Sequence, residues 1–214
     1  MIAGSLPGDR FHSSSAELAM SHLIRYALLL TGGALTLGCS DPSSVPIGVQ
    51  QPLADVATSG RVGFGFNGTV SGFPTGEVRL TGGGSYVPET ASNSLDAETT
   101  VASAGGFDCV ASVAQGPLAG CAAGEGVRWD TEQLLASTTF KCTGAAGEAL
   151  KTAVTDANTA VLKADFYRAG DGIDESFTAQ MIVSETDIAP DIPGLQTLWV
   201  QGVGCGDANA HFSE

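Results

Sequence analysis

"TAVLKADFYRAGDGIDESFTAQMIVSE", residues 159–185, decides the fold class. In its first arm Leu162, Ala164 and Phe166 alternate with Lys163, Asp165 and Tyr167. In its second arm Phe177, Ala179, Met181 and Val183 alternate with Thr178, Gln180 and Ser184. A period of two places each apolar set on one face of an extended strand. Between the arms, "RAGDGIDE" is rich in Gly and Asp, the residues of hairpin loops. The segment therefore predicts a long antiparallel hairpin.

The same period recurs upstream. In "RVGFGFNGTV" (61–70), Val62, Phe64, Phe66 and Val70 face one way, with Arg61, Asn67 and Thr69 facing the other. Gly63, Gly65 and Gly68 spell a literal G-x-G-x-x-G here. A dinucleotide site needs that motif at a turn into a helix, but "SGFPTG" and a second short strand, "EVRLT", follow it instead. The stretch reads as an edge or hairpin strand. Further strands are predicted at 97–103, 107–113, 126–130 and 134–143, and a last one in "QTLWVQGVG", before Cys205 and a short polar tail. Residues 148–156 fit a helix or a strand. Many short strands with Gly-rich turns predict an all-β domain over residues 61–214, a single β-sandwich or small barrel-like domain.

Composition agrees. Among 214 residues there are 29 glycines, 43% are hydrophobic and only 15% are charged, which suits a packed core with tight turns. Nine Lys and Arg against 23 Asp and Glu give a net charge of −14. Nucleic-acid binding relies on Lys and Arg at phosphates, so that class is excluded, and an anionic membrane surface would repel the domain.

The first 60 residues read differently. Residues 1–19 have no apolar periodicity and fit a mis-assigned extension ahead of Met20. Residues 20–38 run from "SHLIR", with Arg25 as the only fixed positive charge, into an apolar stretch from Ala27 to Leu37. That stretch has the length of a signal-peptide core and is too short to span a bilayer. Gly38 and Cys39 follow it. These residues resemble the lipobox of bacterial lipoproteins, whose cysteine carries a diacylglyceryl group and becomes the mature N-terminus. The departure is Thr36, where the family usually carries Leu. The resemblance implies lipid attachment at Cys39 and residence in the bacterial cell envelope, at the outer membrane, periplasm-facing or on the cell surface. Ordinary secretion is the alternative. Residues 39–60 hold Pro42, Pro46 and Pro52 among small polar residues and read as a flexible tether. The pairing of "GFGFN" with a late Asp/Gly-rich hairpin is also similar to post-COAP-type β domains of secreted bacterial proteins, a likeness that implies no activity.

With Cys39 assigned to lipid, Cys109, Cys121, Cys142 and Cys205 are left, an even number that predicts two disulfides in an oxidising compartment. Four cysteines allow three connectivities, and sequence does not choose among them. The preferred arrangement joins Cys109 to Cys121, across a short Gly/Pro-containing hairpin, and Cys142 to Cys205. Zinc is disfavoured: the cysteine spacings are long and His211 is the only histidine after the leader.

Catalytic readings are thin. Nucleophilic hydrolysis would depend on His211, near the C-terminus, and there is no G-x-S-x-G elbow. Carboxylates gather on or beside the last hairpin as Asp165, Asp171, Asp174, Glu175 and Glu185. A pair of them would suit glycosidic hydrolysis. Asp171, Asp174 and Glu175 offer hard oxygen ligands for calcium, the cofactor that this loop would suit. Trp129, Trp199 and Tyr167 read as core before they read as a binding face. The expected function is an exported, lipid-anchored envelope protein with a non-catalytic binding or structural role, its partner an envelope protein or a polysaccharide. The alternative is a carboxylate-dependent envelope hydrolase or a calcium-binding accessory subunit.

Overall fold

A computed structural model describes residues 60–167 and 176–214, and every structural statement below concerns those residues. They form β1 (Val62–Gly72), β2 (Glu77–Tyr86), β3 (Val101–Ala111), β4 (Arg128–Leu134), β5 (Ser137–Phe140), β6 (Lys151–Val154), β7 (Thr159–Tyr167), β8 (Ser176–Ser184), β9 (Leu198–Val200), β10 (Gly204–Gly206) and β11 (Ala208–Ser213). A single 3-10 turn at Pro88–Thr90 is the only helical element among the described residues. The described residues are all-β, as their periodicity predicts.

The main sheet is antiparallel, in the order β10-β9-β8-β7-β4-β3-β2-β1-β11. Because β10 also pairs with β1, the sheet closes on itself, the barrel-like form of the expected architecture. Gly72 opposite Gly204 and Gly63 opposite Ser213 lie on one continuous register, so β10 and β11 serve as one strand interrupted at Asp207. Closure removes the unpaired edges that would otherwise invite association. The β5–β6 hairpin is a separate two-stranded sheet inserted between β4 and β7.

Alternation then fills both faces of part of the wall. Inward positions supply Phe64, Phe66, Val70, Val78, Leu80, Tyr86, Phe107, Trp129, Leu162, Phe166, Met181 and Val200, all buried in one core. Phe64 contacts Phe66, Tyr86 and Phe212, with ring centroids 5.7 to 6.3 Å apart, and Phe107 meets Phe166 edge-on at 5.2 Å. The interior is thus packed with side chains. Outward positions Val161, Ile182, Trp199 and Cys205 form a second cluster with Phe140 and Ala153 of the β5–β6 hairpin and with Ala189. The hairpin therefore covers the outside of β7 through β10. The outer face of β11-β1-β2-β3-β4 carries mainly Gly, Ala, Thr and charged side chains.

The barrel ends are also filled. The loop after β3 sends Val113 and Leu118 into the main core, and the Cys109–Cys121 disulfide holds it there. Gln115 Nε2 ties that loop to its neighbours, donating to the carbonyls of Thr75 (2.6 Å) and Gly202 (2.7 Å). At the opposite end the Tyr86 hydroxyl donates to the Asp156 carbonyl at 2.7 Å. Burial and the nearby Asp156 push that phenol well above its usual range.

Several sequence expectations change in detail. The strands expected at 97–103 and 107–113 are a single strand, β3. Ala104-Gly105-Gly106 looks like a break in sequence, yet Gly105 lies in register with Gly82 and under the Trp129 ring. β1 is paired on both sides, so it is a hairpin strand but not an edge. The polar tail after Cys205 contains the closing strand: Asn209, His211 and Ser213 face solvent while Ala208, Ala210 and Phe212 pack on the core. The ambiguous segment 148–156 contains strand β6. The Cys109–Cys121 segment leaves β3 at Ala111 and returns through turns, closed by hydrogen bonds from the Val113 N–H to the Cys121 carbonyl and from the Gly120 N–H to the Val113 carbonyl, both 2.9 Å.

Candidate functional site

Cys39, Asp171, Asp174 and Glu175 lie outside the described residues, as do the leader segments 1–19 and 20–38 and the tether up to residue 59. The four remaining cysteines pair as preferred: Cys109 with Cys121 and Cys142 with Cys205, with Cα atoms 6.3 and 4.7 Å apart. The second bridge joins the loop after β5 to β10, and so pins the hairpin to the strand that closes the barrel.

The other acidic candidates are kept apart by register. Asp165 stands opposite Thr178, near the loop end of the β7–β8 hairpin, and accepts a 2.6 Å hydrogen bond from its hydroxyl. Glu185 follows Ser184 at the other end, where its N–H donates to the Asn158 carbonyl at 2.9 Å. About seven residues of extended chain separate these levels, roughly 23 Å. They do not form a pair. Asp165 faces Asp130 across β4 and β7 instead, a neighbour that sequence alone did not suggest. The Tyr167 hydroxyl approaches Asp130 Oδ1 at 3.4 Å, and Arg128 lies over the Tyr167 ring, 4.6 Å from its centroid. Partial burial, Asp130 and Asp165 together raise the Tyr167 phenol, and Arg128 opposes them. Among the described residues no three His, Cys, Asp or Glu side chains gather as a metal site.

His211 sits exposed on β11 with its ring over Gly65 of β1. Among the described residues no carboxylate or hydroxyl is hydrogen-bonded to it. Trp129 and Trp199 are buried, which settles them as core; Tyr167 is half-buried on the outer wall.

The most enclosed charge cluster is structural. Glu148 Oε1 accepts from the Cys142 N–H (2.6 Å) and Lys151 Nζ (3.1 Å), and its Oε2 accepts from the Thr143 N–H (2.8 Å) and hydroxyl (2.6 Å). Lys151 also reaches Asp191 at 3.0 Å. Burial alone would raise the Glu148 carboxyl, but the Thr143, Cys142 and Lys151 donors outweigh it and hold the pKa at about 2, down from 4.5. Burial likewise works against the Lys151 charge, and Asp191 and Glu148 override it. A carboxylate depressed on folding stabilises the fold above its unfolded pKa, and that stability is lost as pH falls from about 4.5 toward about 2. Glu148→Gln should flatten the pH dependence of stability in that window and cost about 2 kcal/mol at pH 7. Urea melts across the pH series check both.

On the uncovered outer wall an open cleft of about 180 Å³ is lined by Arg79, Thr81, Gly106, Phe107, Asp108 and Val127. Arg79 on β2 and Asp108 on β3 stand opposite each other and are ion-paired at 2.7 Å. Gly106 lies between Thr81 and Arg128 in register. The Val127 N–H donates to the Tyr167 carbonyl at 3.1 Å, which fixes the cleft wall to β7. Composition carried no signal for this site: it arises when β2, β3 and the residue ahead of β4 bring residues 79–81, 106–108 and 127 together.

No protein-family model, curated protein or solved structure matches this chain.

Proposed function

We propose that this chain is an exported, lipid-anchored cell-envelope protein whose β domain has a non-catalytic binding or structural role. The observation that carries the reading is the pairing of Cys109 with Cys121 and Cys142 with Cys205. Two disulfides are the chemistry of an oxidising compartment. They also leave Cys39 with no thiol in the chain to join, which suits the lipobox reading. The packed interior and the separation of Asp165 from Glu185 support binding on the outer wall over chemistry in a cavity. Intact and peptide mass spectrometry of the native membrane-extracted protein tests the anchor. The expected species begins at Cys39 and carries a diacylglyceryl mass, whereas a chain beginning at unmodified Ser40 or later would overturn the assignment.

A further inference from the structure

We infer that the cleft at Gly106 binds a neutral, hydroxyl-rich sugar unit of a glycan. Glycine weakens a strand interior, and in neighbouring positions of this wall packing demands it. A Cβ on Gly105 would lie 1.9 Å from the Thr81 carbonyl oxygen, and one on Gly83 would lie 2.4 Å from that of Phe64. Gly106 is different. Its Cβ would meet only Thr81 Oγ1 at 3.4 Å and the Val127 carbonyl oxygen at 3.6 Å, which is ordinary contact. The fold does not need a glycine there, and the missing side chain is what keeps the cleft open.

The groups around that opening alternate donors and acceptors. Arg79 uses one Nη on Asp108 Oδ2, and its guanidinium has five N–H donors in all. Among the described residues the Thr81 hydroxyl has no hydrogen-bond partner. The Arg79–Asp108 pair is exposed, 59% and 35% at its side chains, and exposed pairs add little to stability. Such a planar donor beside a carboxylate matches vicinal hydroxyls, which accept from one and donate to the other. Val127 is 53% exposed and offers an apolar wall for the C–H face of a ring. An acidic ligand fits less well, because Asp108, Asp130 and Asp165 outnumber Arg79 and Arg128 on this wall.

The inference deepens the binding role proposed above and is independent of the anchor. The test titrates the full chain in detergent with gluco-, galacto-, manno- and N-acetylglucosamine tetrasaccharides and with a uronic-acid tetrasaccharide, followed by NMR. At least one neutral tetrasaccharide should bind, and both Arg79→Ala and Gly106→Val should weaken it tenfold or more with unchanged melting temperature. The inference is overturned if no neutral tetrasaccharide binds at about 10 mM, if only the uronic-acid one binds, or if either variant binds like the parent. Should Gly106→Val lower the melting temperature, Arg79→Ala alone decides. Cleavage of the bound sugar in the same spectra would refute the non-catalytic role while keeping the site, and loss of the anchor would show only in the mass measurement.

Discussion

Replacing Cys142 and Cys205 together by alanine is expected to destabilise the domain by about 4 kcal/mol, against about 3 kcal/mol for Cys109 with Cys121. The chain-entropy model gives these magnitudes from loops of 63 and 12 residues. The structure adds where each loss falls. Cys142–Cys205 holds the β5–β6 hairpin against the outside of β10, beside Phe140, Trp199 and the Glu148 cluster. Without it, amide exchange should rise first in residues 137–155 while β1, β2 and β3 stay protected. Cys109–Cys121 holds the loop that seats Val113 and Leu118 in the main core. Its removal should loosen residues 112–126 and expose the barrel end. Guanidinium melts of the two double variants, with exchange read by mass spectrometry, separate these outcomes. Equal protection of residues 137–155 in both variants would contradict the assignment of roles.

The 159–185 hairpin was legible because the inward face of its arms follows a period of two, broken only on the outward face at Val161 and Ile182, and its pairing is in register from Thr159–Ser184 to Tyr167–Ser176. That there are two disulfides was legible by arithmetic once Cys39 was set aside; which cysteines pair is fixed only in the structure, and it is the preferred arrangement. Closure of the sheet was not legible. It depends on "CGDANAHFS" pairing with β1, and small polar residues carry little strand signal of their own. β3 was divided for a related reason: Gly105 and Gly106 look like punctuation, and only the Thr81 carbonyl of β2 and the Trp129 ring arriving from β4 explain the first of them. The cleft was out of reach altogether, because its residues come from three separate segments that sequence does not align. For the acidic residues, sequence proximity misled in one respect. Asp165 and Glu185 flank one hairpin but lie at opposite ends of it, while Asp165 and Asp130, 35 positions apart, share a level.

Trp129→Ala is expected to cost about 4 kcal/mol, in the range for deleting a fully buried aromatic. Trp129 is completely buried, its ring centroid lies 5.8 Å from that of Phe66, and its Nε1 donates to the Thr81 carbonyl at 3.0 Å. Truncation would leave a large void at mid-barrel and take a donor from a backbone acceptor that the interior does not rewet. Gly82 and Gly105 are shaped to the same ring: a Cβ on Gly82 would lie 2.5 Å from Trp129 Cζ2, and one on Gly105 would lie 2.7 Å from Nε1. Gly105→Ala should therefore be severely destabilising in the parent protein. In a Trp129→Ala background the clash with the ring disappears, but the 1.9 Å approach to the Thr81 carbonyl remains. The double variant should be less destabilised than the sum of the two single changes, yet less stable than Trp129→Ala alone. Trp199 remains as the fluorophore in every variant carrying Trp129→Ala, so urea melts followed by fluorescence and circular dichroism give the cycle directly. If Gly105→Ala were neutral on the Trp129→Ala background, the ring alone would explain the glycine. If the two effects simply added, the backbone contact would explain it instead. A partial rescue is what both neighbours acting on one missing methyl group require.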